Sequence, residues 1–469
     1  MLQSLPINRA IAPIRIGAPD ERRSRLAIVM PLALVFYSFL FFSPEVAVNL
    51  GGINLPTYRV ALLLLTLPAA VMLLGRTGGG PNFIDVVVVI MSFWIMLSFS
   101  LNYGLEDGLV RGGGVIIDTG LSYLVARASI SSLNHVRYLL IVLLPGLMVA
   151  GLFLALESLS GQLLLRPAFA SVFGSVSSFV TDGGSSAQLV TERRLGFVRA
   201  YGPFAHPILA GAFMVSFLPL YYFSGLRSWP FFAGIAVALT GFFSLSSGTF
   251  LCLLIAIFAF AIDYVKQMFP KLTWWVISSL LILNFWAVHI VSQNGIISII
   301  SRFTLTPHTA GYRILIWEYG WRTIQNYPWF GIGYKSWERL DWMHDSVDAH
   351  FLLLGMRYGV IVPILLTSAI VYGVIRLGLL APRLGIADRN LAIGINITII
   401  ILFVVGQTVA FFGSGVIAFM AFLAILASVL SYLQSKVERE SGLPELSCIR
   451  TARDRSNPDL IPICPRSPA

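Results

Sequence analysis

Apolar runs long enough to cross a bilayer recur from residue 26 to residue 432, and no other feature limits the fold so tightly. A span needs about 20 mostly apolar residues, because inside hydrocarbon only a helix or a closed barrel satisfies its own backbone. Twelve runs meet this: 26–42, 53–74, 83–103, 112–128, 138–158, 206–223, 229–243, 246–264, 273–291, 351–375, 391–411 and 413–432. The expected fold is all-α, a polytopic membrane protein of about 12 transmembrane helices with two long loops. The fourth run is the weakest, being short, glycine-rich and interrupted by Asp118, with a re-entrant or amphipathic piece as the alternative.

With 57% hydrophobic and 12% charged residues among 469, the chain lies far from the roughly 25% charge of soluble domains. Its formal charge of +10 is therefore read as loop charge, and no nucleic-acid partner is expected. The run at 26–42 follows a basic segment and lacks a small-residue cleavage site, which marks an uncleaved signal anchor. Cys252, Cys448 and Cys464 are too scattered for a metal motif or a disulfide framework.

Basic residues orient the spans. With the N-terminus inside, cytoplasmic tails, loops and span ends hold 20 of the 32 Lys and Arg, against Arg59 and Arg111 in the short loops opposite. The predicted order is a cytoplasmic N-terminal segment (1–25), helices 1–5 (26–158), a first periplasmic loop (159–205), helices 6–9 (206–291), a large periplasmic loop (292–350), helices 10–12 (351–432) and a disordered cytoplasmic tail (433–469). In a bacterium this is an inner-membrane protein with both termini cytoplasmic. Solenoid-type repeats and similarity between the halves are not visible.

Both outer loops carry candidate chemistry. The first ends in TERRLGFVRAYGPFAHP, where Arg193, Arg194, Arg199 and three aromatic residues form a cationic lip. It reads either as interfacial anchoring or as an anion site, since guanidinium forks match phosphate oxygens in pairs. In the second, GYRILIWEYGWRTIQNY predicts an amphipathic helix along the bilayer, ended by Pro328, with Glu318 and Arg322 paired at i,i+4 and Arg313, Trp317 and Gly320 on another face. PWFGIG follows as a glycine turn. His350 is expected at the mouth of the tenth span, as a general base or as an interfacial histidine. Arg357 is expected about 10 Å down that span, facing a wet or anionic cavity or snorkelling outward. If DWMHDSVD is helical, Asp341, His344, Asp345 and Asp348 share a face suited to a divalent ion, although no strict metal motif is present.

These residues resemble the family of O-antigen ligases and O-antigen or exopolysaccharide polymerases. The likeness rests on Arg313, Trp317, Pro328, Gly331, Gly333, His350 and Gly359 in order, and on ERRLGFVRAYGPFAHP before a span. The resemblance implies a metal- and cofactor-independent glycosyltransferase with a large periplasmic loop of the ligase or polymerase type at 292–350. It would move a polyprenyl-pyrophosphate-linked glycan en bloc to a hydroxyl on a second glycan or on lipid A core, the polymerase being favoured. Membrane lipids, a chain-length regulator and a flippase would be its further partners. By resemblance Arg313 clamps the pyrophosphate with Arg193, Arg194, Arg199 and Arg357, while His350 orients or deprotonates the acceptor with Asp348 as its orienter. Trp317, Gly331 and Gly333 are supports. Relatives carry an arginine in a Ser-Arg-Gly turn where this chain has Ser246, Ser247 and Gly248, a departure that weakens the ligase reading more. A transporter or flippase would need polar residues spread through the spans, whose interiors are nearly free of charge apart from Asp85, Asp118 and Arg357. A scaffold subunit would tolerate loss of the loop arginines.

Overall fold

The structure, a computed structural model, describes residues 19–50, 53–75, 80–174, 191–269, 283 and 307–441. The ninth predicted span (apart from Leu283), the Ser/Gly-rich centre of the first loop (175–190) and the chain beyond 441 lie outside the described residues.

Helices dominate. In chain order they begin with α1 (Pro19–Leu40), a hairpin of β1 (Ala47–Leu50) and β2 (Ile53–Pro56), α2 (Thr57–Leu74) and α3 (Phe83–Tyr103). Next, α4 (Leu105–Ile116) passes through a π-helical turn, Ile117–Leu121, into α5 (Ser122–Ser129), and α6 (Leu133–Ser160) follows. The first loop contributes α7 (Leu165–Phe173) and a short hairpin, β3 (Arg193–Arg194) with β4 (Phe197–Val198). Then come α8 (Pro207–Phe223), α9 (Trp229–Leu239), a 3₁₀ turn Thr240–Ser244 and α10 (Ser247–Met268). The remainder is α11 (Pro307–Asn326), α12 (His350–Tyr358), α13 (Ile361–Leu380), α14 (Ile386–Gly406) and α15 (Ser414–Ser441).

Eight helices among the described residues are long and apolar enough to cross a membrane, and shorter apolar helices occupy the first, sixth and seventh predicted spans. The most apolar window of α15 is 89% buried and that of α2 is 17% buried, so α15 forms the axis and α2 the rim. The fourth span is a helical rod, Leu105–Ser129. It runs the length of the bundle: Gly108 meets the Ser100 backbone near one end, and Arg127 pairs with Asp85 at the other. Its Asp118 is neutralised by a bidentate pair with Arg59 of α2, at 2.8 and 2.6 Å. That pairing is how a carboxylate is tolerated there.

Two expectations change. The tenth span is not one helix from 351: α12 stops at Tyr358 and α13 begins at Ile361. Gly359 forms the break with φ +83°, and a Cβ there would lie 1.9 Å from the Trp329 carbonyl oxygen. Arg357 consequently lies in the last turn of a short helix and is partly exposed. At the other margin, α15 continues to Ser441, into the segment expected to be disordered from 433.

Candidate functional site

Helix ends and loops gather at one end of the bundle, and a single buried carboxylate organises the first of them. Glu157, in the last turn of α6 and 0% exposed, accepts four backbone N–H groups. Leu164 and Leu165 donate to one oxygen, each at 3.1 Å. Tyr201 and Gly202 donate to the other, at 2.9 and 2.8 Å. The start and finish of the first loop are thereby tied to one side chain. Beside it the buried Arg166 bridges Glu45 and donates to the Ala205 carbonyl at 3.0 Å.

Held this way, the β3–β4 hairpin and the residue after it aim their arginines at two places. Arg193 donates to the Gly161 carbonyl, 3.3 Å away on the exposed side. Arg194 reaches the Leu245 carbonyl at 3.3 Å, and Arg199, 4% exposed, reaches that of Ser244 at 3.4 Å. Arg199 also pairs with Glu192. Burial alone would raise the Glu192 carboxyl, but the hydrogen bond and charge of Arg199 carry it below its usual range.

The second loop is organised by close helix contact. On α11 the buried residues Ile316, Gly320, Thr323 and Ile324 recur at helical spacing. Gly320 lies against Leu352 and Met356 of α12, and Gly355 against Ile324. The apolar stripe expected to lie on the bilayer is thus covered by the chain itself, while Glu318 and Arg322 pair at 2.6 Å on the exposed side. Beyond Pro328 the backbone doubles back over the end of α12. Ile332 and Gly333 donate to the Met356 and Arg357 carbonyls at 2.8 and 2.9 Å, and Val360 donates to that of Pro328 at 2.8 Å. Gly331 has φ +60°, and a Cβ on it would fall 2.5 Å from the Arg357 backbone. Trp94 and Ser98 of α3 anchor the same loop through the Trp329 and Phe330 carbonyls.

The two loops meet through charge and through the turn between α14 and α15. Arg313 interacts electrostatically with Asp348 and with Arg194, and Asp348 also with Arg199. His350 packs 4.9 Å from the Phe411 ring, and His206, the N-cap of α8, lies 6.4 Å from Phe412. Trp317 donates to the Gln407 carbonyl at 3.3 Å, fastening α11 to the same turn.

Burial shapes the titration of this group. It pushes His350 down to about 3, with the positive Arg357 assisting, and His206 down to about 4, with Arg199 assisting. Both rings are neutral at pH 7. Burial lowers Arg313, which Asp348 opposes. It raises Asp348, which Arg313 and Arg199 oppose. Among the described residues three buried polar atoms here have no hydrogen-bond partner: Arg199 Nη2, Arg313 Nε and His350 Nδ1. Such atoms are costly, at about 1–3 kcal/mol each, and uncommon in folded chains.

Of the predicted cations, Arg194, Arg199 and Arg313 are brought together with Asp348. Arg193 is directed away, and Arg357 sits apart with its guanidinium 4.7 Å over the Tyr334 ring. Asp348 has Arg313 and Arg199 as its charge partners and does not hydrogen-bond His350 among the described residues. Nor is the run 341–348 helical. Asp345 pairs with Arg339, and the shared face needed for a divalent ion does not form. Sequence reasoning misses Glu157, Glu192, Glu45, Arg166 and His206 as site residues. The signal for Glu157 and Glu45 is a lone acid at the outer margin of an apolar run.

Arginine forks with free donor capacity can hold an anion, and a neutral imidazole beside them can accept a hydrogen bond from a hydroxyl. Residues 232–367 match the family model described as O-antigen ligase. No curated protein matches the chain.

Proposed function

We propose, from the premise that the chain belongs with the O-antigen ligase and polymerase superfamily, that it is a bacterial inner-membrane glycosyltransferase acting at the periplasmic face. It takes a polyprenyl-pyrophosphate-linked oligosaccharide as donor and transfers it en bloc to the hydroxyl of a second lipid-linked glycan. The observation that carries this reading is that Arg194, Arg199 and Arg313 act on one another and on Asp348, two residues before His350, with a buried nitrogen of Arg199 and one of Arg313 lacking a hydrogen-bond partner among the described residues.

In the step, the acceptor oxygen forms a bond to the donor's anomeric carbon, and the bond from that carbon to the diphosphate breaks. The diphosphate leaves with the bonding electrons. Its growing charge is met by Arg194, Arg199 and Arg313, fixed before the reaction begins. The acceptor proton passes to His350. Burial and Arg357 hold that ring neutral, and an incoming diphosphate supplies negative charge that raises its basicity. Arg194 and Arg199 bond the carbonyls of Leu245 and Ser244. They therefore supply cationic charge beside the turn where Ser247 stands in place of the arginine of relatives.

The test is transfer by the purified full chain in vesicles, with a defined polyprenyl-pyrophosphate oligosaccharide and a choice of lipid-linked glycan or lipid A core as acceptor. Arg313→Ala and His350→Ala each lower turnover at least about a hundredfold at normal membrane levels, the range for losing one preorganised charge or a general base. Full activity in both variants would remove the enzyme reading. Transfer to lipid A core alone would make the protein a ligase.

A further inference from the structure

His206 closes the first loop, and the segment in front of it is firmly held. The Ala205 carbonyl accepts from Arg166 at 3.0 Å. The Arg166 guanidinium lies 5.6 Å over the Tyr201 ring, which is itself 6.2 Å from the imidazole. The imidazole caps α8, its Nδ1 accepting the Ile208 N–H at 3.2 Å. A ring nitrogen that accepts an N–H carries no proton, so the proton of the ring is on Nε2 and that nitrogen is a donor. Among the described residues Nε2 has no hydrogen-bond partner, and the ring is partly exposed.

Charge places this free donor among the arginines of the site. Arg199, Glu192, Arg166 and Arg194 all act on the His206 ring, and Arg313 acts in turn on Arg194. The ring lies 6.4 Å from Phe412, and that of His350 lies 4.9 Å from Phe411, so the two imidazoles border consecutive residues of one turn. The N-terminus of α8 brings its partial positive charge to the same point. A neutral N–H adds to such a site what a fourth cation could not. It attracts an anion without repelling the arginines while the site is empty.

We propose that His206 is a further binding residue for the donor diphosphate, giving its Nε2–H to a phosphate oxygen beside Arg194 and Arg199. This rests on the glycosyltransferase reading above and deepens it. His350 takes the acceptor's proton, whereas His206 keeps its own. The hydrogen bond from His206 strengthens as the bond from the anomeric carbon to the diphosphate breaks and negative charge gathers on the leaving oxygens. The two histidines thus serve opposite ends of the displacement, one the attacking hydroxyl and the other the leaving group.

Two substitutions separate this role from capping. In His206→Asn the side-chain oxygen falls where Nδ1 stands and still caps α8, but no donor reaches the position of Nε2. In His206→Gln the amide nitrogen reaches that position and the cap is lost. The full chain would be assayed in vesicles at pH 7 for thermal unfolding, for binding of inorganic pyrophosphate and for transfer from a polyprenyl-pyrophosphate oligosaccharide. His206→Asn is expected to melt with the native chain. It should nevertheless bind pyrophosphate at least about tenfold more weakly and lose at least about tenfold in kcat, the worth of one charge-assisted hydrogen bond. His206→Gln should melt lower, yet stay within about threefold of the native chain in binding and turnover. Native binding and turnover in His206→Asn, or equal losses in the two variants, would overturn the proposal. If the native protein transfers to no acceptor, the glycosyltransferase reading fails, and pyrophosphate binding alone then decides the role of His206. Weakened binding in His206→Asn with retention in His206→Gln keeps it, and equal binding by the two variants removes it.

Discussion

Exchanging Glu157 for glutamine is the sharpest probe of the site's construction. The carboxylate takes four N–H groups, two on each oxygen, from chain segments about forty residues apart. A carboxamide keeps one acceptor oxygen and replaces the other with a donor, so one of the two amide pairs must face an N–H₂ group. Two hydrogen bonds to a charged acceptor are lost, each worth about 1.5–3 kcal/mol, and two buried amides are left without partners. Allowing for partial relaxation, the loss is about 3–5 kcal/mol. The segment released is either Leu164–Leu165 or Tyr201–Gly202, and the latter leads directly from Arg199 to His206. Thermal unfolding in vesicles should show a clear drop in midpoint for Glu157→Gln, and proteolysis should cut within 191–206 before the rest. Transfer should fall at least about tenfold even at temperatures where the variant is folded. An unchanged midpoint together with unchanged turnover would refute the account of this side chain as the anchor of the first loop.

Other outcomes follow from the same geometry. Gly359→Ala combines a φ of +83° with a Cβ 1.9 Å from the Trp329 carbonyl; it should destabilise by about 2–4 kcal/mol. Gly385→Ala, with nothing within 4 Å, should be nearly neutral in the same melt. Asp118→Asn leaves Arg59 without its bidentate partner and should cost about 2–3 kcal/mol by denaturant titration, with a substantial part recovered when Arg59→Met is added. His206 and His350 are depressed to about 4 and about 3. Between those values and the ordinary 6.5 the unfolded chain therefore binds more protons, and stability present above pH 6.5 declines as pH falls through that window. Asp348, raised by burial, acts in the opposite sense. The His206→Asn, His350→Asn double variant should thus show a flatter melting midpoint between pH 7 and 4.5 than the native chain.

Hydropathy made the spans legible because backbone satisfaction in lipid leaves so few alternatives, and the amphipathic period of 311–327 made α11 legible. The break at Gly359 was not, since AHFLLLGMRYGVIVPILL is one apolar run. What ends the helix is a distant backbone segment, Pro328–Gly333, inserted against its last carbonyls. Asp118 made its span look weak because the charge that neutralises it lies 59 residues earlier in the chain. The three arginines of ERRLGFVR looked alike in sequence, yet the hairpin sends Arg193 to Gly161 and buries Arg199. Asp348 stands two residues from His350 and still has Arg313 and Arg199 as its charge partners, because the chain passes from irregular backbone into α12 between the two.

The near-complete burial of α15 bears on how the protein is made. Translation delivers this segment after all the other described helices, so the earlier ones enter the bilayer before their common axis exists. The cluster of Asn82, Asp85 and Arg127, at the start of α3, is completed by Ser428 and Ser431 of α15. Until then its polar groups depend on one another, on lipid headgroups or on the insertion machinery. A ribosome stalled before residue 414 would leave threaded helices without a core, and such a chain should be cleared by membrane proteases and not accumulate as a partly active form.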